Sequence, residues 1–204
     1  SSTDPFDLRI YGINHSEMFP LFSQNGNNKL DFFQIWLNLP SYNKRVEPNF
    51  EMYWEDEIPK ISSNLNGNKN VQVEIITGDY LDFSSPIAPK NSWANNKKND
   101  VAVWIIRLDR NGNFAIPDTK SGAKRNLYVL KGSNMEIDGQ SISGGSMVTL
   151  DSSKNTVIKN LGSKTKILML QGVPINEPVV KYGPFVMNTR SEIEQAFYDY
   201  NRTD

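Results

Sequence analysis

The sequence lacks cysteine altogether and contains a single histidine, His15. Without cysteine, these residues cannot form disulfides, bind zinc or iron–sulfur clusters through thiolates, or supply a cysteine nucleophile. A Ser-His-Asp triad would have to use His15. A metal site with two imidazoles cannot be built from this chain alone.

An excess of one charge sign and long apolar runs are also missing. The 22 Lys and Arg residues nearly balance the 23 Asp and Glu residues, and the net charge is −1. This balance disfavours direct nucleic-acid binding, which needs clustered positive charge. No apolar run approaches the roughly 18 residues of a membrane span. Residues 1–12 lack the basic-then-apolar build of a signal peptide, so we expect no membrane partner and a cytoplasmic location.

The chain does contain short apolar runs separated by Asn- and Gly-rich turns. Hydrophobic residues make up 38% of the sequence, enough for a packed core. The runs are rich in β-branched and aromatic residues, and from residue 101 they recur at the spacing of a sandwich or barrel. We predict an all-β fold whose strands include residues 32–39, 71–77, 101–108, 126–132, 134–139, 146–151, 156–161 and 165–172. Residues 78–100 read as a long loop.

Two of these segments carry further expectations. In residues 32–39, Phe33, Ile35, Leu37 and Leu39 alternate onto one face, which predicts a half-buried strand. Near the C-terminus, the stretch 189–192 (TRSE) is a capping box that predicts the start of a helix. The side chains at Ile193, Ala196, Phe197 and Tyr200 would form the apolar stripe of that helix.

The pair His15 and Glu17 is the sharpest local motif. In an extended strand both side chains point to the same face, because faces alternate with a period of two. The pair could then give one imidazole and one carboxylate to a metal. The alternative is an ordinary hydrogen-bonded pair, which is the commoner arrangement for polar groups at a surface.

Four longer stretches resemble the pirin family, in the order in which the family carries them. They are GINHSEMFP (12–20), FFQIWLNLP (32–40), RVEPNFEMYWEDEIP (45–59) and INEPVVKYGPFVMNTRSEIEQAF (175–197). The resemblance implies a bicupin, a protein with two double-stranded β-helix barrels and a mononuclear iron site in the first barrel. Some members oxidise the flavonol quercetin by 2,3-dioxygenase chemistry, and others act as nuclear transcriptional co-regulators.

The resemblance assigns two of the four family iron ligands to His15 and Glu17, and it makes Glu17 a catalytic group once the site is complete. The His-x-His pair that supplies the other two ligands has no counterpart here. We therefore expect that this chain binds no iron by itself and is not catalytic as written. The alternative is a metal- or redox-responsive regulator. The implied partners are a flavonol-type small molecule or another protein, and the oligomeric state stays open.

The predicted organisation has three parts. Residues 1–59 form a remnant of the N-terminal cupin with the inter-domain linker, residues 60–182 form the C-terminal cupin barrel, and residues 183–204 form a segment with a helix. Setting the cupin motifs on the second barrel places four residues near its nominal ligand positions, namely Asp118, Lys120, Arg125 and Thr156. Two of these are cations, which repel a metal, so the barrel is expected to be metal-free.

Five aromatic residues could line a pocket or belong to the core. They are Trp36, Trp54, Trp93, Trp104 and Tyr128. Burial in the core is the commoner role for large aromatic side chains.

Overall fold

A computed structural model describes residues 23–28, 30–62 and 70–202 of the chain. The chain divides into two compact units. The barrel unit comprises residues 50–175, and the split unit takes its residues from 1–49 and 176–204. His15 and Glu17 lie outside the described residues.

The barrel unit consists of strands joined by turns. Its strands are β1 (Lys60–Ser62), β2 (Val71–Thr77), β3 (Asp79–Tyr80), β4 (Phe83–Ser84), β5 (Ala102–Leu108), β6 (Asn113–Ile116), β7 (Lys124–Lys131), β8 (Met135–Ile137), β9 (Gln140–Ile142), β10 (Met147–Leu150), β11 (Thr156–Asn160) and β12 (Thr165–Gly172). The predicted all-β fold is confirmed, and the seven predicted strands from residue 71 onward match β2, β5, β7, β8, β10, β11 and β12.

Two antiparallel sheets enclose one core. Six strands pair in the order β1-β2-β5-β12-β7-β10, and four pair in the order β6-β11-β8-β9. Strand β5 shows why the sequence folds this way, because its residues alternate strictly between buried and half-buried positions. Its inward side chains join a cluster whose largest fully buried members include Phe114, Ile106 and Met169.

The predicted loop at 78–100 is mostly irregular. It holds the short pair β3–β4 and two 3-10 turns, Trp93–Asn95 and Lys97–Asn99. The second turn ends at Asp100, whose φ of 48° lies in the left-handed region. Asp tolerates that conformation better than most residues, because its short polar side chain can bond locally.

The split unit contains the strand pair β13 (Val180–Tyr182) and β14 (Phe185–Met187), followed by helix α1 (Arg190–Asn201). The predicted capping box is confirmed, since the Thr189 side chain accepts from the Glu192 N–H and the Glu192 carboxylate accepts from the Thr189 N–H. Phe197 meets Phe185 edge to face, with ring centroids 4.9 Å apart. In the part of the chain that the structure describes, no helix is long and apolar enough to cross a bilayer.

The strand predicted at 32–39 is wrong. Residues 30–40 form no strand, and Ile35 and Leu37 are 41% and 43% exposed. Alternation marks a strand only where a neighbouring strand can pair with it, and residues 30–40 pair with none.

Candidate functional site

The predicted metal ligands His15 and Glu17 receive no structural test, because both lie outside the described residues. Among residues 23–28, 30–62 and 70–202, no group of three or more His, Cys, Asp or Glu side chains could hold a metal ion. The described residues therefore do not fit an iron centre. The assignment of His15 and Glu17 stays a prediction.

The four nominal ligand positions of the barrel lie in two kinds of environment. Asp118 and Lys120 are exposed in the turn that follows β6, whereas Arg125 on β7 and Thr156 on β11 are each 2% exposed. The backbone N–H of Asp118 donates to the Asn155 side chain at 2.8 Å, which ties this turn to the start of β11. Whether these four residues occupy the cupin ligand positions stays a prediction.

Arg125 is the most unusual residue at this end. Its Nε donates to Gln171 Oε1 at 2.6 Å, and Gln171 lies directly opposite it on β12. Burial lowers the pKa of the Arg125 guanidinium, and the charges of Asp100 and Asp118 oppose that shift. A guanidinium remains charged even so, because its pKa in water lies far above neutrality.

Asp100 continues this network. Its Oδ2 accepts from the Thr119 and Ser121 hydroxyls, each at 2.5 Å, and its Oδ1 accepts from Gln171 Nε2 at 2.9 Å. Both carboxylate oxygens are thus satisfied by neutral donors. The result is a chain of polar contacts from the 119–121 turn through Asp100 and Gln171 to Arg125.

Sequence reasoning missed Asp100 and Gln171. A signal for Gln171 exists: it is a polar residue that follows the apolar run ILML in β12, at an alternating position with Ile167 and Met169. Nothing comparable marks Asp100, whose role depends on contacts 19 to 71 residues away.

The five aromatic candidates divide by environment. Trp104 is in the core, 3% exposed, and meets Tyr80 edge to face at a centroid distance of 5.2 Å. Trp93 is half-buried and donates to the Val173 carbonyl at 3.0 Å, and Tyr128 is also half-buried. The core interpretation is wrong for Trp36 and Trp54, which are 53% and 64% exposed.

Glu177, within the stretch INEP, organises the described part of the split unit. Its carboxylate accepts from the Ser41 N–H at 2.7 Å, from the Ser41 hydroxyl at 3.1 Å and from Asn188 Nδ2 at 2.8 Å. The hydrogen bond from the Ser41 backbone is the main cause that lowers the pKa of Glu177. These contacts join two segments that are far apart in sequence, which is a structural role.

Comparisons with known proteins extend this description. A family model described as the pirin C-terminal cupin domain matches residues 103–204. The chain is 31% identical to a Vibrio cholerae protein provisionally named quercetin 2,3-dioxygenase, over 94% of this chain and 63% of that protein. It is 30% identical to a pirin-like protein of Solanum lycopersicum, over 93% of this chain and 60% of that protein. The chain thus spans about six tenths of the length of these curated relatives.

A solved structure shows the same architecture. The crystal structure of quercetin 2,3-dioxygenase from Acinetobacter baumannii superposes with a TM-score of 0.68 at 27% sequence identity, covering 81% of this chain and 53% of that one. The match to the family model covers half of the chain, and the strand order and the cupin neighbour agree with it. The chain therefore belongs to the pirin family of cupin proteins.

Proposed function

We propose that this chain is part of a quercetin 2,3-dioxygenase-like pirin, in which it supplies two iron ligands and a metal-free second barrel. His15 would be the neutral ligand and Glu17 the anionic one. The observation that carries the proposal is the inventory of ligands, since the 204 residues contain one histidine and no cysteine. The relatives provisionally named quercetin 2,3-dioxygenase support the activity class.

This inventory limits what the chain can do alone. By analogy with catalytic zinc sites, a metal that carries out chemistry is held by about three protein ligands and keeps an open position. His15 and Glu17 give two. The remaining imidazoles would come from polypeptide outside these 204 residues, and turnover of a flavonol would depend on them.

The barrel unit supports the same division of roles. Its interior at the nominal ligand positions presents the Arg125 guanidinium and the Thr156 hydroxyl, and neither is an iron ligand of the kind the family uses. A cation at this position would also repel a metal ion. The iron chemistry of the proposed protein therefore belongs to the other barrel.

The test compares iron binding and turnover in the 204-residue chain. After loading with Fe(II) under anaerobic conditions and desalting, we expect well below one equivalent of retained iron, and oxygen consumption with quercetin no faster than the buffer blank. The Glu17→Gln variant should behave like the parent. Turnover that is robust in the parent and abolished by His15→Ala would refute the limit set by two ligands.

The natural protein gives the complementary measurement. Intact mass spectrometry of the protein from its source should give a mass well above the 23.2 kDa of these residues if further ligands precede them. A natural mass of 23.2 kDa together with quercetin turnover would contradict the proposal.

A regulator that acts through a protein partner is the second candidate, and one observation favours it. Large apolar side chains in residues 30–37 are exposed, including Leu30 at 57% and Trp36 at 53%. Contiguous exposed apolar surface marks interaction sites. Ile35→Asp should weaken binding to a physiological partner, whereas the polar control Gln34→Asp should not. Equal binding by both variants would argue against this candidate.

A further inference from the structure

Arg125 carries a positive charge in the interior of the barrel unit. It is 2% exposed, and among the described residues its side chain makes one hydrogen bond, from Nε to Gln171 Oε1. Its Nη1 is fully buried and has no hydrogen-bond partner. Within the described part of the chain, no carboxylate lies close enough to form an ion pair with it. Burying a charge in this way is costly, because desolvation is not repaid by a partner.

A second orphan donor lies in the same interior. The indole Nε1 of Trp104 is buried and has no hydrogen-bond partner among the described residues. On β12, Gln171 pairs with Arg125 and Met169 pairs with Trp104, so the two donors belong to adjacent inward rows of one sheet. Arg125 and Trp104 are two strands apart in the sheet and offset by two residues along the strands. These spacings place their Cα atoms about 12 Å apart, a distance that two long inward side chains can span.

Both orphan atoms are donors, which sets the chemistry of a ligand. A group that satisfies them must accept hydrogen bonds, and a negative charge would also compensate the guanidinium. Arg binds carboxylates especially well, since its planar fork matches the two oxygens. A buried orphan polar group in a native fold requires an explanation, and a bound acceptor is a direct one.

The neighbouring acids restrict the ligand further. Asp100 uses both carboxylate oxygens on Thr119, Ser121 and Gln171, so it does not pair with Arg125 directly. Asp118 is exposed. Their charges still act on the guanidinium through space and would repel a dianion more strongly than a monoanion.

We propose that the interior of the barrel unit binds a small monocarboxylate, held by Arg125 Nη1 and by Trp104 Nε1. Thr156, which is buried at the same end of the barrel, would line the site. Access would pass through the turn at residues 119–122, where the Thr119 and Ser121 hydroxyls donate to Asp100. The proposal goes beyond the proposed function, because it gives the metal-free barrel a ligand of its own.

The test is thermal unfolding in a buffer that contains no carboxylate, with sodium formate or acetate as the probe. We expect a saturable rise of Tm in the parent, because a ligand that binds only the folded state stabilises it. Sulfate and phosphate at matched ionic strength should give less. Arg125→Met should lower the affinity at least tenfold, and Trp104→Phe, which keeps an aromatic ring, should lower it severalfold. Lys131→Met, which removes an exposed cation at the far end of β7, is the control and should respond like the parent.

A second measurement does not depend on the folding of the variants. In the parent protein labelled with ¹⁵N-arginine, formate should slow the hydrogen exchange of one buried guanidinium in proportion to the occupancy seen by thermal unfolding. An unchanged Arg125 signal, no saturable effect in the parent, or an equal response to all salts would overturn the proposal. So would an affinity unchanged in a folded Arg125→Met variant.

Discussion

Asn160 offers the sharpest test of how the barrel unit is held together. Its side chain is 0% exposed at the end of β11. Nδ2 donates to the carbonyls of Leu108, Asp109 and Ser163 at 3.0, 3.0 and 2.7 Å, and Oδ1 accepts from the Gly162 N–H at 3.2 Å. One amide thus ties the β5–β6 connection to the β11–β12 connection.

The Asn160→Ala variant would leave four backbone groups without this partner. At about 1 kcal/mol for each lost hydrogen bond, the free energy of unfolding should fall by about 3–4 kcal/mol. For a domain of this size, 1 kcal/mol shifts Tm by about 4 °C, so Tm should fall by roughly 12–16 °C. Urea unfolding followed by circular dichroism would show the same loss as a lower midpoint with an unchanged m-value.

Two further variants make this result specific. Asn113→Ala changes an exposed Asn on β6 and should alter Tm by only about 2 °C, because surface changes usually stay within about 0.5 kcal/mol. Asn160→Asp puts a carboxylate among carbonyl oxygens, so the pKa of the new group should be raised in the folded state. Its stability should therefore recover as the pH falls. A fall in Tm of less than about 4 °C for Asn160→Ala would refute the reasoning.

Three other substitutions test single features. Gly162→Ala should lower the free energy of unfolding by about 1–3 kcal/mol, because a Cβ there would overlap the Ser133 carbonyl oxygen and force the backbone to move. Thermal unfolding would measure this loss. Thr189→Ala should cost about 1 kcal/mol by removing the cap contact to the Glu192 N–H, which helix content by circular dichroism would report. Between about pH 4 and pH 2, Tm should fall less steeply in Asp151→Asn than in the parent, because hydrogen bonds from Ser153 and then Lys154 lower the pKa of Asp151 to about 2.

Each of these predictions has a control or a contrary outcome. Gly172→Ala should be nearly neutral, since the nearest atom to its Cβ would be Val101 Cγ2 at 3.4 Å, and equal losses for both glycines would contradict the steric argument. Thr189→Ser keeps a capping hydroxyl and should retain most of the stability. The pKa of Asp151 is lower in the folded state, so the stability it contributes is present above pH 4 and lost as the pH falls. If the plots of Tm against pH for the parent and for Asp151→Asn stay parallel down to pH 2, this prediction is wrong.

The sequence predicted the barrel strands well because each carries its own signal. Residues 71–77 and 165–172 are β-branched or apolar runs bounded by turns, and both became strands with those bounds. Strand β6 was missed because its four residues alternate for only two buried positions, Phe114 and Ile116. Strands β13 and β14 were missed because neither alternates in burial: β13 has no buried residue, and β14 has only one.

The strand predicted at residues 32–39 was wrong for a different reason. Their alternation is as clear as that of β5, yet a strand exists only through its hydrogen-bonded neighbour, and sequence pattern carries no information about whether that neighbour is present. The candidate site shows the same limit. The sequence motifs drew attention to Arg125, but its hydrogen-bond partner Gln171 lies 46 residues away and is brought opposite it by strand pairing.

The position of β12 has a consequence for how the protein is made. It is the last strand of the barrel unit, yet it lies in the middle of the six-stranded sheet, between β5 and β7. From the end of β7 at residue 131 to the end of β12 at residue 172, the ribosome adds 172 − 131 = 41 residues. At about 5–20 residues per second this takes about 2–8 s. During that interval β5 and β7 each present an unpaired edge to the surrounding solution or to a chaperone. A chain that terminates before residue 165 would keep both edges permanently, and aggregation or proteolysis would be its fate.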